Sequence, residues 1–306
     1  MSSIPALLYK FADLETANKI ITSKKLRWIA PSELPEPFAV NSAKSLMIKD
    51  DVLTEALAKF VANMIFTHSL PFKDTSNPIV KAIIRWRSTE RFDSEEEARG
   101  VLTDLLQSTI LNQQEKNQEM LEHWDFYLSH LRLLCLGDKP DNLALWQHHA
   151  DNHCGVAFGF EVNAAHDDGA PQNPNKVKYG EQRPVLTDMR AQIEHIMGIR
   201  RLDPKTMFSG QFLVKSKSFI AEQEWRCLRT LSEVQVTQSE QTKYTDYTFN
   251  GDSLKRVYLG AALSPDNRIK IMNTIKESFP ETDIYSCSPN MNQFTLKIEK
   301  IYSAQS

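Results

Sequence analysis

The chain has 306 residues, 41% of them apolar and 25% charged, with a formal net charge of -3. That balance fits a globular protein able to bury a core and argues against a globally basic nucleic-acid binder, although a local basic patch remains open. Four separated cysteines, Cys135, Cys154, Cys227 and Cys287, form no Cys-x-x-Cys pair, which argues against a structural zinc knuckle and fits reduced thiols in a cytoplasm.

The opening MSSIPALLYKF has no basic n-region and no long apolar run, so no signal peptide is expected. No stretch approaches the ~18 uncharged apolar residues of a membrane span. Ala6 to Phe11 reads as a short buried strand. Asp13 then takes an N-cap position ahead of the helical stripe Leu14, Ala17, Ile20 and Ile21. Leu26 to Ile29 reads as a second strand, stopped by Pro31, Pro35 and Pro37.

From about Asn41 to His130 the pattern is helical. Val52, Leu53, Ala56, Leu57, Phe60, Val61 and Met64 form one apolar face, broken off at Pro71 and Pro78. Ser94 with Glu97 makes a capping box that opens a helix bearing Val101, Leu102, Leu105 and Leu106. A polar stretch then leads to Trp124 and Leu128. These helices carry no catalytic spacing and read as an insertion in a strand-rich core.

Strand character returns at Leu131 to Leu136. A short helix over Leu143 to Asp151 and a buried strand over Gly155 to Val162 follow. Residues 164–174, rich in Asp, Gly, Asn and Pro, read as a mobile loop. A short strand is expected over Lys176 to Tyr179 and an amphipathic helix over Val185 to Gly198, with Leu186, Met189, Ile193 and Met197 inward. Weaker strands are expected over 233–237 and 244–249, and another over Leu254 to Leu259. Ser264-Pro265 caps a helix through Lys276 with Ile269, Met272 and Ile275 buried. Phe294, Leu296 and Ile298 alternate with polar residues in a half-buried last strand. The order is that of an α+β fold.

Three constellations could carry chemistry. In Phe212 to Arg229, an extended segment would put Glu222, Glu224 and Arg226 on one face and Trp225 and Cys227 on the other. Such carboxylates can stabilise positive charge developing on a sugar ring. The same pattern also fits a solvated strand face with a weak ion pair. Lys215 and Ser216 precede the pair, where phosphate contacts would be useful. His148, His149, Asp151 and His153 crowd the end of a helix. A metal site is one reading of them. Asp151-Asn152 turn chemistry instead favours a helix terminus with histidines at its C-terminal dipole, leaving His149 as a ligand-facing candidate. Tyr9, Lys10 and Phe11 lie on the first strand with Lys10 on the face opposite the two rings. There is no Gly-x-Gly-x-x-Gly, no P-loop and no Gly-x-Ser-x-Gly elbow.

Leu8-Tyr9-Lys10-Phe11, the Trp146…His149-Ala150…His153…Gly155…Phe160 run and Glu222-Gln223-Glu224-Trp225-Arg226 together resemble a widespread uncharacterised bacterial family. Its members carry Leu-Tyr-Lys-Tyr, then Trp-x-x-Tyr/His-Ala-x-x-His-x-Gly, then Glu-x-Glu-Trp/Tyr-Arg. The chain departs from it at Pro35-Glu36-Pro37-Phe38, where the family usually has Asn-Asp-Pro-Phe. The opening strand and helix, with Lys24-Lys25-Leu26, also look like those of ADP-ribosyltransferases of the DarT and diphtheria-toxin-like kinds, and Glu222-x-Glu224 is similar to their Glu-x-Glu loop.

That second resemblance implies an ADP-ribosyltransferase-like mixed β core, here a single domain with core residues 1–40 and 131–306 and a helical insert over 41–130. It implies NAD as substrate, with Glu224 holding the nicotinamide ribose, Glu222 orienting the acceptor, and Lys10, Tyr9, His149, Lys215, Ser216 and Arg226 binding the dinucleotide. No metal is expected. The activity implied is ADP-ribosyl transfer to a macromolecular acceptor, protein or nucleic acid, or NAD hydrolysis, in a cytoplasmic toxin or phage-defence role. The alternative is a non-catalytic binding or regulatory module in which the charged triplet is a structural network.

Overall fold

The computed structural model describes residues 3–35, 48–67, 70, 76–165, 167, 169–233, 235 and 243–304. Pro37, Pro71, the Glu36-Pro37-Phe38 departure and most of the strand expected over 233–237 lie outside them. The fold is α+β. The chain divides into two compact units, one of residues 1–37, 129–183 and 213–306, the other of 38–128 and 184–212. The helical unit therefore takes in 184–212 besides most of the insert expected over 41–130.

The first unit is built on one large sheet. Strand β1 (Leu7–Ala12) runs up its middle, antiparallel to β4 (Val156–Glu161) on one side and touching β3 (Leu131–Gly137) on the other. Beyond β4 come β10 (Leu254–Leu259), β11 (Asp283–Pro289) and β12 (Leu296–Tyr302), with β10 and β11 parallel. Beyond β3 come β2 (Lys25–Ile29) and β9 (Tyr244–Thr248). The other edge of β3 pairs along its length with β8 (Glu224–Thr230), and β8 carries the short β5 (Asn175–Lys176). A separate parallel pair joins β6 (Lys178–Gly180) to β7 (Val214–Ser216).

Capping residues start the helices here. Asp13 accepts from the Thr16 amide and opens α1 (Leu14–Ser23), which seats Ala17, Ile20 and Ile21 on the sheet. Ser264 with Pro265 opens the C-terminal helix Pro265–Ser278. Its buried face is Ile271 and Ile275, and Ile269 is 56% exposed, contrary to the expected face. The main core gathers Leu8, Trp28, Leu136, Phe158, Phe160, Trp225 and Leu259. A smaller core holds Tyr9, Phe11, Trp146 and Tyr258. The last strand begins at Leu296, and Phe294, expected to be half-buried, is 100% exposed before it. Residues 164–174 are not simply a mobile loop. Asp167 is buried and accepts hydrogen bonds from the amides of Gly169, Ala170 and Asn250 and from the Ser253 hydroxyl.

The helical unit packs α2 (Asp50–Phe66), α3 (Pro78–Ser88) and α4 (Glu95–Leu105) about Leu53, Leu57, Val61, Ile83 and Leu102. Ser94 accepts from the Glu97 amide, while the Glu97 carboxylate takes the Asp93 amide, a near relative of the capping box. Leu102 and Leu106 are buried as expected, together with Ala98, while Val101 and Leu105 are exposed. The long α5 (Gln107–His130) follows. The helix expected over 185–198 is shorter, α7 (Met189–Ile196), because Asp188 caps it. A further helix, α8 (Pro204–Gln211), starts from an Asp203 cap with Pro204 at its first position.

Candidate functional site

The stretch from Phe212 to Arg229 is not one strand. β7 ends at Ser216, residues Lys217–Glu222 form a 3-10 helix, and Gln223 turns left-handed (φ 46°) into β8. Glu224 and Arg226 therefore share a face of β8 as expected, but Glu222 reaches them from the 3-10 turn and not along a strand. The left-handed residue is a Gln, where a Gly would be the cheaper choice.

Four charged side chains close on one another inside the first unit. Lys215, Glu222, Glu224 and Arg226 are 5%, 2%, 4% and 1% exposed. The Lys215 Nζ donates to Glu222 Oε2 at 2.6 Å and to Glu224 Oε2 at 3.1 Å. Its ammonium also lies 4.6 Å from the centre of the Phe219 ring, a cation–π contact. Arg226 forks onto Glu224 with Nε–Oε1 at 2.8 Å and Nη2–Oε2 at 3.1 Å, the bidentate geometry that suits guanidinium and carboxylate. The two positive and two negative charges balance, which burial at this depth requires. Burial by itself would raise the Glu224 carboxyl. Arg226, Lys215 and the Cys135 thiol beside it outweigh that and hold it at about 2. The Glu224 amide donates to the Tyr179 hydroxyl at 2.8 Å, fixing the start of β8.

Helix α6 (Leu143–His149) is fastened to this cluster at both ends. Its N-cap Asn142 accepts from the Leu145 amide, and its side-chain amide donates to Ala221 O at 2.9 Å and Glu222 O at 3.0 Å. At its C-terminal end His148 meets Glu222 Oε1 through Nδ1 at 2.7 Å. Trp146 is buried and donates to Pro140 O at 2.7 Å. Asp151, Asn152 and His153 then take left-handed backbone in succession, turning the chain into β4.

Lys10 and His149 line one recess of about 20 Å³ with Cys135 and Gly137, a space on the scale of one water. Burial, and after it the Lys10 charge, lowers His149 to about 4, so its imidazole is neutral near pH 7. Burial, with the Glu224 charge next, pushes the Cys135 thiol up, so it is no thiolate nucleophile. The structure thus gathers Glu222, Glu224, Lys215 and Arg226 in direct contact, with Lys10 and His149 beside them. Tyr9 lines the same recess, its ring edge-on to Tyr258 at 5.7 Å in the smaller core. Ser216 lies apart from it, exposed and hydrogen-bonded to Ser218. Lys215 is buried. His148, weighed in the sequence as a metal ligand or a histidine at a helix terminus, is a direct partner of Glu222. Among the described residues no group of three or more His, Cys, Asp or Glu is placed to hold a metal ion, and His153 instead stacks on Trp146. No helix among them is long and apolar enough to cross a membrane.

Residues 145–227 match the model of a family described as Protein of unknown function (DUF2971). The match spans α6 through most of β8 and so includes His148, His149, Lys215, Glu222, Glu224 and Arg226. It takes in two of the three motifs, the Trp146 to Phe160 run and Glu222 to Arg226, that suggested an uncharacterised bacterial family. Comparison with curated proteins and with solved structures found no match.

Proposed function

We propose that the charged cluster is a site for NAD, and that the protein cleaves its nicotinamide–ribose bond, transferring ADP-ribose to a macromolecular acceptor or to water. The observation that carries this reading is the convergence of Lys215, Glu222, Glu224 and Arg226 beside Lys10, His148 and His149. A carboxylate kept ionised at any physiological pH suits a reaction whose transition state places positive charge on a ribose. Lys10, beside the neutral His149, offers a cation for a pyrophosphate. Glu224 would face the nicotinamide ribose, with Arg226 and Lys215 holding its orientation. The toxin or phage-defence setting follows only by analogy with the kind of enzyme that does this chemistry. The test is nicotinamide release from NAD by the wild type and by Glu224→Gln, at a temperature where circular dichroism shows both folded. Release that Glu224→Gln leaves unchanged removes the assignment.

One observation favours a second reading, a non-catalytic binding or regulatory module. Every carboxylate oxygen of Glu222 and Glu224 is already hydrogen-bonded within the protein, which is also how a structural network looks. A module of this kind binds no NAD, so an absence of ligand-induced stabilisation selects it.

A further inference from the structure

We infer that His148 is the general base of this site and that Glu222 is its positioning residue, an assignment that rests on the NAD-cleaving reading. Glu222 is 2% exposed and has both oxygens engaged, Oε2 by Lys215 at 2.6 Å and Oε1 by His148 Nδ1 at 2.7 Å. A carboxylate accepts only, so Nδ1 carries the proton in this contact. In the neutral ring this contact selects the tautomer whose lone pair lies on Nε2. The His148 side chain is 43% exposed, against 2% for Glu222. Its ring neighbours are His149 at 6.4 Å and Phe219 at 6.5 Å, and Nε2 bonds to none of the described residues. The pair therefore has one buried end and one open end, the arrangement in which a carboxylate orients an imidazole for proton transfer.

Three features make this more than a surface ion pair. Lys215 pins the buried carboxylate from its far side. Asn142 ties the backbone of Ala221 and Glu222 to the start of the helix that bears His148, so helix and carboxylate are positioned together. Neither carboxylate is placed to take a proton itself, Glu224 being forked by Arg226 and Glu222 shared between Lys215 and His148. Among the described residues His148 is the imidazole in direct contact with these carboxylates, and its Nε2 is engaged by none of them.

The step balances as follows. An acceptor hydroxyl, of water or of a macromolecule, gives its proton to Nε2 as its oxygen forms the bond to the ribose anomeric carbon. The bond from that carbon to the pyridinium nitrogen breaks, and its electron pair leaves with neutral nicotinamide. His148 then passes the proton to solvent.

Two measurements test the assignment separately. The first needs no NAD: acylation of His148 by diethyl pyrocarbonate, read by peptide mass spectrometry, with His123 on α5 as the exposed internal standard. The oriented Nε2 lone pair is expected to react several-fold faster than His123, and Glu222→Gln to abolish the difference. Equal rates for the two histidines in the wild type overturn the pairing, and that comparison holds even where Glu222→Gln fails to fold. The second is nicotinamide release by His148→Ala, a change at a half-exposed position. Release should fall by about 10²-fold or more, and added imidazole should restore part of it, which it would not do for a merely structural loss. Undiminished release, or a loss that imidazole leaves untouched, overturns the role. A wild type that releases no nicotinamide sinks the NAD reading, and with it the proton-transfer role, while the acylation rates still decide the pairing.

Discussion

Replacing Glu224 by Gln keeps the shape of the side chain and removes one charge. Lys215 and Arg226, 5% and 1% exposed, would then face Glu222 alone, leaving a net positive charge in the interior. A carboxyl held at about 2 against its ordinary 4.5 favours the ionised folded form by about 3 kcal/mol. The cost of removing one partner from a buried ion pair, about 3–5 kcal/mol, agrees. The assay is native-state hydrogen exchange of peptides covering β3 and β8, which pair along their length with Glu224 opposite Gly137. A loss of about 3 kcal/mol speeds exchange through the opened state on the order of 10²-fold. Breaking the exposed Lys255–Glu161 pair is the control and should cost less than about 1 kcal/mol. Acceleration by Glu224→Gln no greater than in that control would refute the reasoning, because the buried charges would then contribute nothing that surface charges do not.

Acid should weaken the first unit in two windows. The unfolded chain binds more protons than the folded one wherever a folded pKa is depressed, so stability falls as pH falls. For His149 the loss runs from about 6.5 down to about 4, and His149→Gln should flatten that part of a urea-midpoint profile. For Glu224 the contribution is complete above 4.5 and is lost as pH falls towards about 2, and Glu224→Gln should remove that limb. A Cβ at Gly155 would stand 2.1 Å from Ala12 O and 3.0 Å from Ala150 O, both backbone. Gly155→Ala should therefore cost about 1–3 kcal/mol in urea unfolding by forcing β1 from the turn after α6. Asp167→Ala should cost about 2–4 kcal/mol, since it strands the Asn250 amide and the Ser253 hydroxyl, and limited proteolysis should then cut near residues 163–170.

Where a residue's role was set by its immediate neighbours, the sequence was legible. Asp13, Ser94 and Ser264-Pro265 cap helices where capping chemistry put them, because a cap is a contact across three residues. The short apolar runs LLYKF and VAFGFE, read as buried strands, stand centrally in the sheet. Within Phe212 to Arg229, Glu224 and Arg226 share a face of β8 as two-residue spacing on a strand requires. What escaped depended on geometry that no local pattern encodes. The 3-10 turn Lys217–Glu222 brings Glu222 back to Lys215, and the left-handed Gln223 joins that turn to β8, a conformation nothing about a glutamine announces. The His148–Glu222 contact spans 74 residues and exists because Asn142 anchors α6 to the 3-10 turn. Tyr9 both packs edge-on against Tyr258 and lines the recess of Lys10 and His149, a double placement that its motif does not encode. The strand Asp283–Pro289 has only two fully buried residues, Ile284 and Cys287, so its pattern was too weak to read, and parallel pairing with β10 makes it.

Among these tests, one bears most directly on whether the buried charges serve a ligand: a thermal-shift titration of wild type and Lys10→Ala with NAD. Lys10 is half-buried at the recess and forms no part of the Lys215–Glu224–Arg226 contacts, so its loss should leave the fold intact. The melting temperature should climb with NAD concentration in the wild type and climb less in the variant. No shift in the wild type at millimolar NAD would contradict it, and the cluster would stand as a structural network.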